Sequence, residues 1–386
     1  MAIGIRITMK PTMIVALFVL ILMILSVASI SDGALQVGFY NGKCNSTDVE
    51  KIVSKVVKRH FFKDPSITAS LIRMQFHDCF VHGCDASILI DGNNTEKDAP
   101  SNGSVKGFEV VDEAKDILEK ICHGIVSCAD IIAIAARVSV FLVCFPFYIK
   151  MIRLSIYTFH LYNAINDVAI KGQSPNIFDI RIKLQSTFKF CLNENHDGGK
   201  WYHVETGRRD GLISQASDVN LPSPFISVFE TTQIFSKKGL NIEDMVLLLG
   251  GHSVGMTHCK FVQNRLYNFQ NTGRTDKNMN PTLAQYLKRK CPNDTNSQAL
   301  IPLNSKAKNV NLMNNSFYKE ILEGRGILQI DQEIAFDSVT SGIVKELAKD
   351  NDAFLVKFGD AMVKLGDIDV LTGNQGEIRR SCRAFN

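Results

Sequence analysis

The sequence predicts a mainly α-helical domain. Apolar residues recur at helical spacing through most of the chain, whereas the alternation of apolar and polar residues that marks half-buried strands is scarce. The 386 residues suffice for one large domain or two smaller ones with a substantial core, and no internal repeat divides them. The net charge of +4, with both signs interspersed, gives no basis for nucleic-acid binding.

The helices are predicted from apolar periodicity and from capping residues. Asp64 and Pro65 supply a cap and a first-turn proline for a helix at 66–76. Asn241, with Asp244 three residues later, forms a capping pair that starts the helix running through 245–249. Further helices are predicted at 108–121, 129–137, 338–347 and 352–365.

The N-terminus has the pattern of a secretory signal peptide. Arg6 and Lys10 precede an apolar run at 13–27, which gives way to small and polar residues at 28–34. The alternative is a membrane anchor, but about fifteen apolar residues fall short of the roughly twenty that a spanning helix needs. We therefore expect a signal peptide at 1–35, cleavage near Gln36 and a mature domain at 36–386.

Secretion makes the cysteines candidates for disulfides, although the sequence alone leaves their pairing open. No CxxC pair occurs, and the spacing suits no zinc site. The ten cysteines are Cys44, Cys79, Cys84, Cys122, Cys128, Cys144, Cys191, Cys259, Cys291 and Cys382. N-glycosylation triplets occur at Asn45, Asn93, Asn102, Asn293 and Asn314.

A candidate acid–base pair lies on the first predicted helix. Arg73 and His77 are four residues apart, so both project from one helix face. There the imidazole can move a proton while the guanidinium stabilises developing negative charge. Such a pair taken alone usually marks a solvated surface, but here apolar residues surround it, namely Leu71, Ile72, Met74 and Phe76.

Oxygen-bearing side chains crowd the turn that follows. Asp78, Asp85 and Ser87 flank Gly83, a pattern that suits a hard cation such as calcium. An Asp-rich turn without metal fits the same spacing equally well. A hydrolase using His77 and Asp78 is disfavoured, because adjacent helical residues diverge by about 100° and no GxSxG nucleophile motif occurs.

These segments resemble the secretory (class III) plant haem peroxidases. The resemblance runs from about 36 to 383 except at 143–197. It rests on RMQFHDCFVHGCDASILI (73–90), TEKDAP (95–100), VSCADIIAIAAR (126–137), GRRDG (207–211), NLPSPF (220–225), LLLGGHSVG (247–255), RLYNF (265–269), DQE (331–333) and LTGNQGEIRRSCR (371–383).

The resemblance implies a haem peroxidase fold in which haem b lies between a distal and a proximal helical half. It implies a secreted monomer that reduces hydrogen peroxide to water and oxidises small phenolic donors in one-electron steps. Its location would be the apoplast, the cell wall or the vacuole, with no nucleic-acid or membrane partner. The alternative is a catalytically impaired, non-enzymatic protein on the same fold.

The resemblance also assigns roles near the haem. His252 would ligate the iron and Asp331 would accept its other N–H, although from the sequence alone these residues could be a helix-end histidine and a surface turn. On the distal side, Arg73 and His77 would cleave peroxide and Asn102 would orient His77, so we expect the Asn102 triplet to carry no glycan. The remaining implied residues are Phe76 as a screen, Glu96 as the link to calcium, and Pro222 and Phe261 at the donor edge.

Metal ligands and disulfides are implied in the same way. Distal calcium would be held by Asp78, Val81 (carbonyl), Gly83 (carbonyl), Asp85 and Ser87. The implied disulfides are Cys44–Cys122, Cys79–Cys84, Cys128–Cys382 and Cys259–Cys291, which leaves Cys144 and Cys191.

The chain departs from the family at a second, proximal calcium site. Ser253 supplies the hydroxyl after the iron-ligating histidine, but Lys306 and Asn314 occupy the positions of two aspartates, and no Asp or Glu occurs from 295 to 319. A divalent-cation site without carboxylates is weak. We therefore expect proximal calcium to be absent or poorly held.

A second departure is an insert at 143–197. It is rich in Phe, Ile, Asn, Lys and Tyr, its helical periodicity is poor, and family sequence resumes abruptly after it. A long segment without structure of its own is unusual inside a compact domain. We interpret it as a retained intron, with a surface loop near the haem edge as the alternative.

Overall fold

The computed structural model describes residues 34–143, 202–294, 298–307 and 309–386. The predicted signal peptide lies outside these ranges except for Ala34 and Leu35, and so does the insert except for Val143. Cys144 and Cys191 are likewise outside. Among the described residues, no helix has the length and apolarity needed to cross a membrane.

Helices dominate the described residues, as the sequence predicts. A single antiparallel strand pair, β1 (Met256–His258) and β2 (Leu300–Pro302), aligns Thr257 with Ile301. The α-helices are α1 (Val49–Lys63), α2 (Ile67–Cys79), α3 (Phe108–Ile121), α4 (Cys128–Val143), α5 (Val228–Lys237), α6 (Ile242–Leu249), α7 (Gln263–Tyr267), α8 (Pro281–Lys290), α9 (Ser316–Leu322), α10 (Gln329–Phe336), α11 (Ser341–Lys349) and α12 (Asn351–Gly366).

Local capping explains where several predicted helices begin. Asn241 and Asp244 form the predicted capping box at the start of α6. Helix α2 begins at Ile67 rather than at 66, because the Asp64 carboxylate accepts from the backbone N–H and hydroxyl of Ser66 and holds that residue in the preceding turn. Pro65 therefore precedes the helix, and its predicted first-turn placement is wrong.

Helix α4 is the centre of the distal half. It extends to Val143, six residues beyond the predicted end, because the residues after Arg137 are apolar except for Ser139 and most are buried. A helix that is apolar on all sides belongs in a protein interior, and α4 packs against α1, α2 and α3. This packing fixes α2, which holds Arg73 and His77.

The two halves meet through α12, which contacts α2 on the distal side and α6 on the proximal side. A buried ion pair reinforces this junction, with Arg208 Nη1 3.0 Å from Asp130 Oδ1. Arg208 also donates to the carbonyl of Gly366 at the end of α12 through Nε (2.9 Å) and Nη2 (2.7 Å). Four disulfides, with the pairings that the resemblance implies, cross-link the described residues.

Candidate active site

His77 is positioned as a neutral base on α2. Its side chain is buried, and its Nδ1 lies 2.6 Å from Asn102 Oδ1. The Asn102 amide is oriented by its own Nδ2, which donates to the carbonyl of Glu96 at 2.7 Å. Because Asn102 Oδ1 can only accept, Nδ1 of His77 has the proton and Nε2 presents a lone pair.

The protonation state of His77 suits that role. Burial lowers the pKa of His77 to about 3, the charge of Arg73 acts in the same direction, and the hydrogen bond to Asn102 opposes them. The imidazole is therefore neutral at ordinary pH and able to accept a proton. The solvated-surface interpretation of this pair is wrong for His77, which is 6 % exposed.

Arg73 is held beside His77 by two contacts that the sequence did not reveal. Its Nη1 donates to Ser104 Oγ at 3.1 Å, and its Nη2 donates to the carbonyl of Ser101 at 3.2 Å. Burial lowers the pKa of Arg73, but a guanidinium still keeps its charge. Both serines lie in the loop that also contains Asn102, so this loop orients the whole distal pair.

His252 lies opposite, in the turn that follows α6. Its Nδ1 is 2.8 Å from Asp331 Oδ1, and Asp331 is fully buried on α10, so the surface-turn interpretation of Asp331 is wrong. Burial alone lowers the pKa of His252, but the charge and hydrogen bond of Asp331 outweigh it and raise the pKa. The Arg73 charge acts on the pKa of His252 in the same direction as burial.

These proximal residues fit a haem. With Nδ1 bound to Asp331, Nε2 of His252 is the nitrogen available to iron. The His252 side chain is 32 % exposed although its partner is fully buried, so the ring borders open space. The turn also requires Gly250, because a Cβ at that position would come 2.3 Å from the Tyr318 hydroxyl.

The predicted calcium loop is built from buried oxygens. Asp78 Oδ2 accepts from the backbone N–H of Ala86 and Asp85 Oδ1 from that of Ser87, both at 3.0 Å, while the buried Ser87 Oγ has no partner. Burial raises the pKa of both aspartates, and their mutual repulsion adds to it for Asp78. A hard cation would relieve this burial of negative charge, so the residues fit calcium.

The carbonyl ligands already have one donor each. The Val81 carbonyl accepts from Lys238 Nζ at 3.0 Å, and the Gly83 carbonyl accepts from the backbone N–H of Asp85 at 2.9 Å. A carbonyl oxygen has a second lone pair for a metal. The described residues contain no cluster of three or more His, Cys, Asp or Glu suited to a metal. A cation in this loop would therefore need the hydroxyl and the carbonyls in addition to the two aspartates.

A hydrogen-bonded route joins the calcium loop to His77. Ser214 Oγ donates to the Ser87 carbonyl at 2.8 Å and accepts from the Glu96 backbone N–H at 3.1 Å. The Glu96 carbonyl then binds Asn102, which binds His77. The predicted link through Glu96 thus passes along its backbone. Its carboxylate is buried without a partner, and burial raises the pKa of Glu96 to about 8.

The donor-edge residues lie on partly exposed surface. The Phe261 ring is 6.3 Å from that of Phe225, which is 39 % exposed, and Pro222 is half-buried nearby in sequence. Phe76 packs against Phe80 with ring centroids 4.2 Å apart. Phe225 belongs to a recognised motif, but the sequence did not mark it as a donor-site residue.

Asp78 and His77 bind different partners, so they do not form the dyad that a hydrolase would need. Asp78 accepts from the Ala86 backbone, and His77 pairs with Asn102.

On the proximal side Ser253 is buried next to His252, and its Oγ has no partner among the described residues.

Comparison with known proteins identifies relatives over most of the chain. A family model described as peroxidase matches residues 53–154 and 185–350. Peroxidase 60 of Arabidopsis thaliana is 44 % identical over 354 residues, covering 91 % of this chain and 90 % of that protein. Peroxidase 57 of the same plant is 39 % identical, covering 96 % and 99 %. Peroxidase 5 of Vitis vinifera is 38 % identical, covering 96 % of each.

Proposed function

This chain belongs to the secretory plant peroxidase family and is a haem peroxidase that reduces hydrogen peroxide, and we propose that Arg73, His77 and His252 are its catalytic residues. The observation that supports this most directly is the His77–Asn102 hydrogen bond of 2.6 Å, which leaves the Nε2 of the neutral His77 ring with a free lone pair on the same helix face as Arg73. A second proposal, a non-enzymatic protein on this fold, is not favoured, because the distal and proximal residues are all assembled.

The proposed mechanism assigns one task to each residue. Haem would be held by His252 Nε2 and would supply the iron that exchanges electrons with the substrate. His77 Nε2 accepts the proton from the nearer peroxide oxygen and returns it to the farther one, which leaves as water. Arg73 donates hydrogen bonds to the negative charge that develops as the O–O bond breaks. Asp331 accepts a hydrogen bond from the Nδ1–H of His252, which keeps the imidazole electron-rich.

The His77→Leu variant tests this mechanism. We expect the haem absorption band to be retained and the bimolecular reaction with peroxide to slow by about a thousandfold or more, since general acid–base catalysis contributes roughly 10²–10⁴. His123→Leu, at an exposed histidine, is the matched control and should react at the parent rate. An unchanged rate in His77→Leu would refute the assignment.

The reducing substrates are proposed to be small phenols bound at the edge formed by Pro222, Phe225 and Phe261. Aromatic rings partly open to solvent suit a flat aromatic donor.

Calcium is proposed at the loop of Asp78 and Asp85. We further propose that the protein acts as a monomer outside the cell, in the apoplast or cell wall, with the vacuole as the alternative.

The domain organisation is proposed as a signal peptide at 1–35 and one peroxidase domain at 36–386 interrupted by residues 143–197. The family match skips residues 155–184, inside this insert, as expected for a segment foreign to the family. We propose a retained intron as its origin. Transcript sequencing tests the idea, because a spliced message lacking codons 143–197 is expected. Exclusive detection of the longer message would favour a true surface loop instead.

A further inference from the structure

The proximal loop does not hold its side chains as a divalent-cation site requires. At the two positions where the family has aspartates, Lys306 and Asn314 are turned to other partners. Asn314 Oδ1 accepts from the backbone N–H of Ser316 at 2.8 Å. The Lys306 ammonium reaches α9, where it lies 2.6 Å from Glu323 Oε2 and 3.2 Å from Glu320 Oε1.

Glu320 is the centre of a cluster of opposite charges. It is 6 % exposed, and its Oε2 accepts from Ser305 Oγ at 2.7 Å and from Arg325 Nε at 2.9 Å. With Lys306 and Glu323, these five residues form what we call the Glu320 cluster. The carboxylates of Glu320 and Glu323 face the cationic side chains in the cluster, so its charges cancel without a metal ion.

The Glu320 cluster is connected to the turn that contains His252. Helix α9, which contains Glu320, packs against the turn Gly250–Ser253. Two backbone hydrogen bonds join the proximal loop to Gly255, two residues after that turn. Gly255 donates to the Val310 carbonyl at 2.7 Å, and Leu303 donates to the Gly255 carbonyl at 3.2 Å. Fixing the loop to α9 therefore also fixes the strand leaving His252.

The distal loop contains carboxylates that no cation pairs with directly. Asp78, Asp85 and Glu96 are all buried, and within the described residues no Lys or Arg forms a salt bridge with them. The cations at this loop bind backbone carbonyls instead, Lys238 that of Val81 at 3.0 Å and Arg379 that of Ala86 at 2.7 Å. At the proximal loop and Ser253, the buried side-chain oxygens without partners among the described residues are neutral, those of Ser253, Asn304 and Asn311; the unpartnered carboxylate oxygen Asp331 Oδ2 belongs to the residue that pairs with His252. Calcium prefers several oxygens that include carboxylates, so the distal loop needs the ion and the proximal loop does not.

We infer that this chain holds a single calcium ion, at the distal loop, and that the Glu320 cluster fixes the proximal loop in place of a second ion. The inference rests on the proposed peroxidase function for the distal site. It goes beyond the loss of a metal, because it names the side chains that replace one.

Calcium stoichiometry in the haem-containing full chain tests the inference. After removal of free calcium by gel filtration, elemental analysis should find one calcium per chain, and none in Asp85→Asn. The double variant Lys306→Asp/Asn314→Asp, which restores carboxylates at the two positions where the family has aspartates, should hold one more than the parent. The inference would be overturned if the parent held two calcium ions or none. It would also be overturned if one calcium ion persisted in Asp85→Asn.

Hydrogen exchange in residues 303–315 tests the role of the cluster without depending on the double variant. Glu320→Gln should speed exchange there by roughly tenfold, because it leaves Arg325 and Lys306 without their shared carboxylate. Lys319→Met, at an exposed position on the same helix, is the control and should exchange as the parent does. Unchanged exchange in Glu320→Gln would overturn the role of the cluster. Absence of the haem band in the parent would instead indicate failure of the proposed function.

Discussion

Replacing Asn102 by Val is the sharpest test of how the distal pocket works. The substitution nearly preserves volume but removes both hydrogen bonds of the Asn102 amide, to His77 at 2.6 Å and to the Glu96 carbonyl at 2.7 Å. Asn102 is 2 % exposed, so water cannot readily replace either bond. The imidazole then loses the partner that fixes its tautomer and direction.

The expected effect on the rate follows from the free energy of one buried hydrogen bond. Leaving the His77 Nδ1–H without an acceptor costs about 1–2 kcal/mol, and this cost bears on the step in which Nε2 takes the peroxide proton. Because each 1.36 kcal/mol changes a rate about tenfold, we expect the reaction to slow by roughly five- to thirtyfold. The haem band should not change, since His252 and Asp331 are untouched.

The assay is rapid mixing of the resting enzyme with excess peroxide and no donor, followed by the change in the haem absorption band. The same substitution in a His77→Leu background is the control, because Asn102 is inferred to act only through His77. Parent-like kinetics in Asn102→Val, or a further tenfold loss in the double variant, would show that Asn102 does not position the base.

Three further predictions test other parts of the site. Asp331→Asn keeps a hydrogen-bond acceptor for His252 but removes its charge, so peroxide cleavage should slow by about tenfold or more with haem retained; a parent-like rate would refute the role of that charge. Ser214→Ala breaks the hydrogen-bonded route from the calcium loop to Glu96, so peroxide cleavage should slow about two- to tenfold. Chelating calcium should then slow the variant less than the parent. Equal sensitivity of the two proteins to calcium chelation would contradict the route. Phe261→Ala should raise KM for a simple phenol about three- to tenfold while the donor-free reaction with peroxide stays unchanged, and an unchanged KM would move the donor site elsewhere.

Local sequence signals predicted the local parts of the structure well. The spacing of Arg73 and His77 placed both on one helix face, and the Asn241–Asp244 pair marked the start of α6. Helix α3 has the predicted bounds of 108–121. Six of the described helices were not predicted, namely α1, α5, α7, α8, α9 and α10. Two of them, α7 and α9, have only five and seven residues, and segments of that length have too little periodicity to detect.

The sequence by itself determined the family, the mainly α-helical class and the residue types at the site, because long motifs and helical spacing are local in the chain. Only the tertiary structure decided how distant residues meet. Asn102 contacts His77 across 25 positions and Asp331 contacts His252 across 79. The same holds for Lys306, whose side chain turns to Glu320 and Glu323 on α9. Such pairings depend on which side chains packing buries together, and burial is a property of the assembled core rather than of any local run of residues.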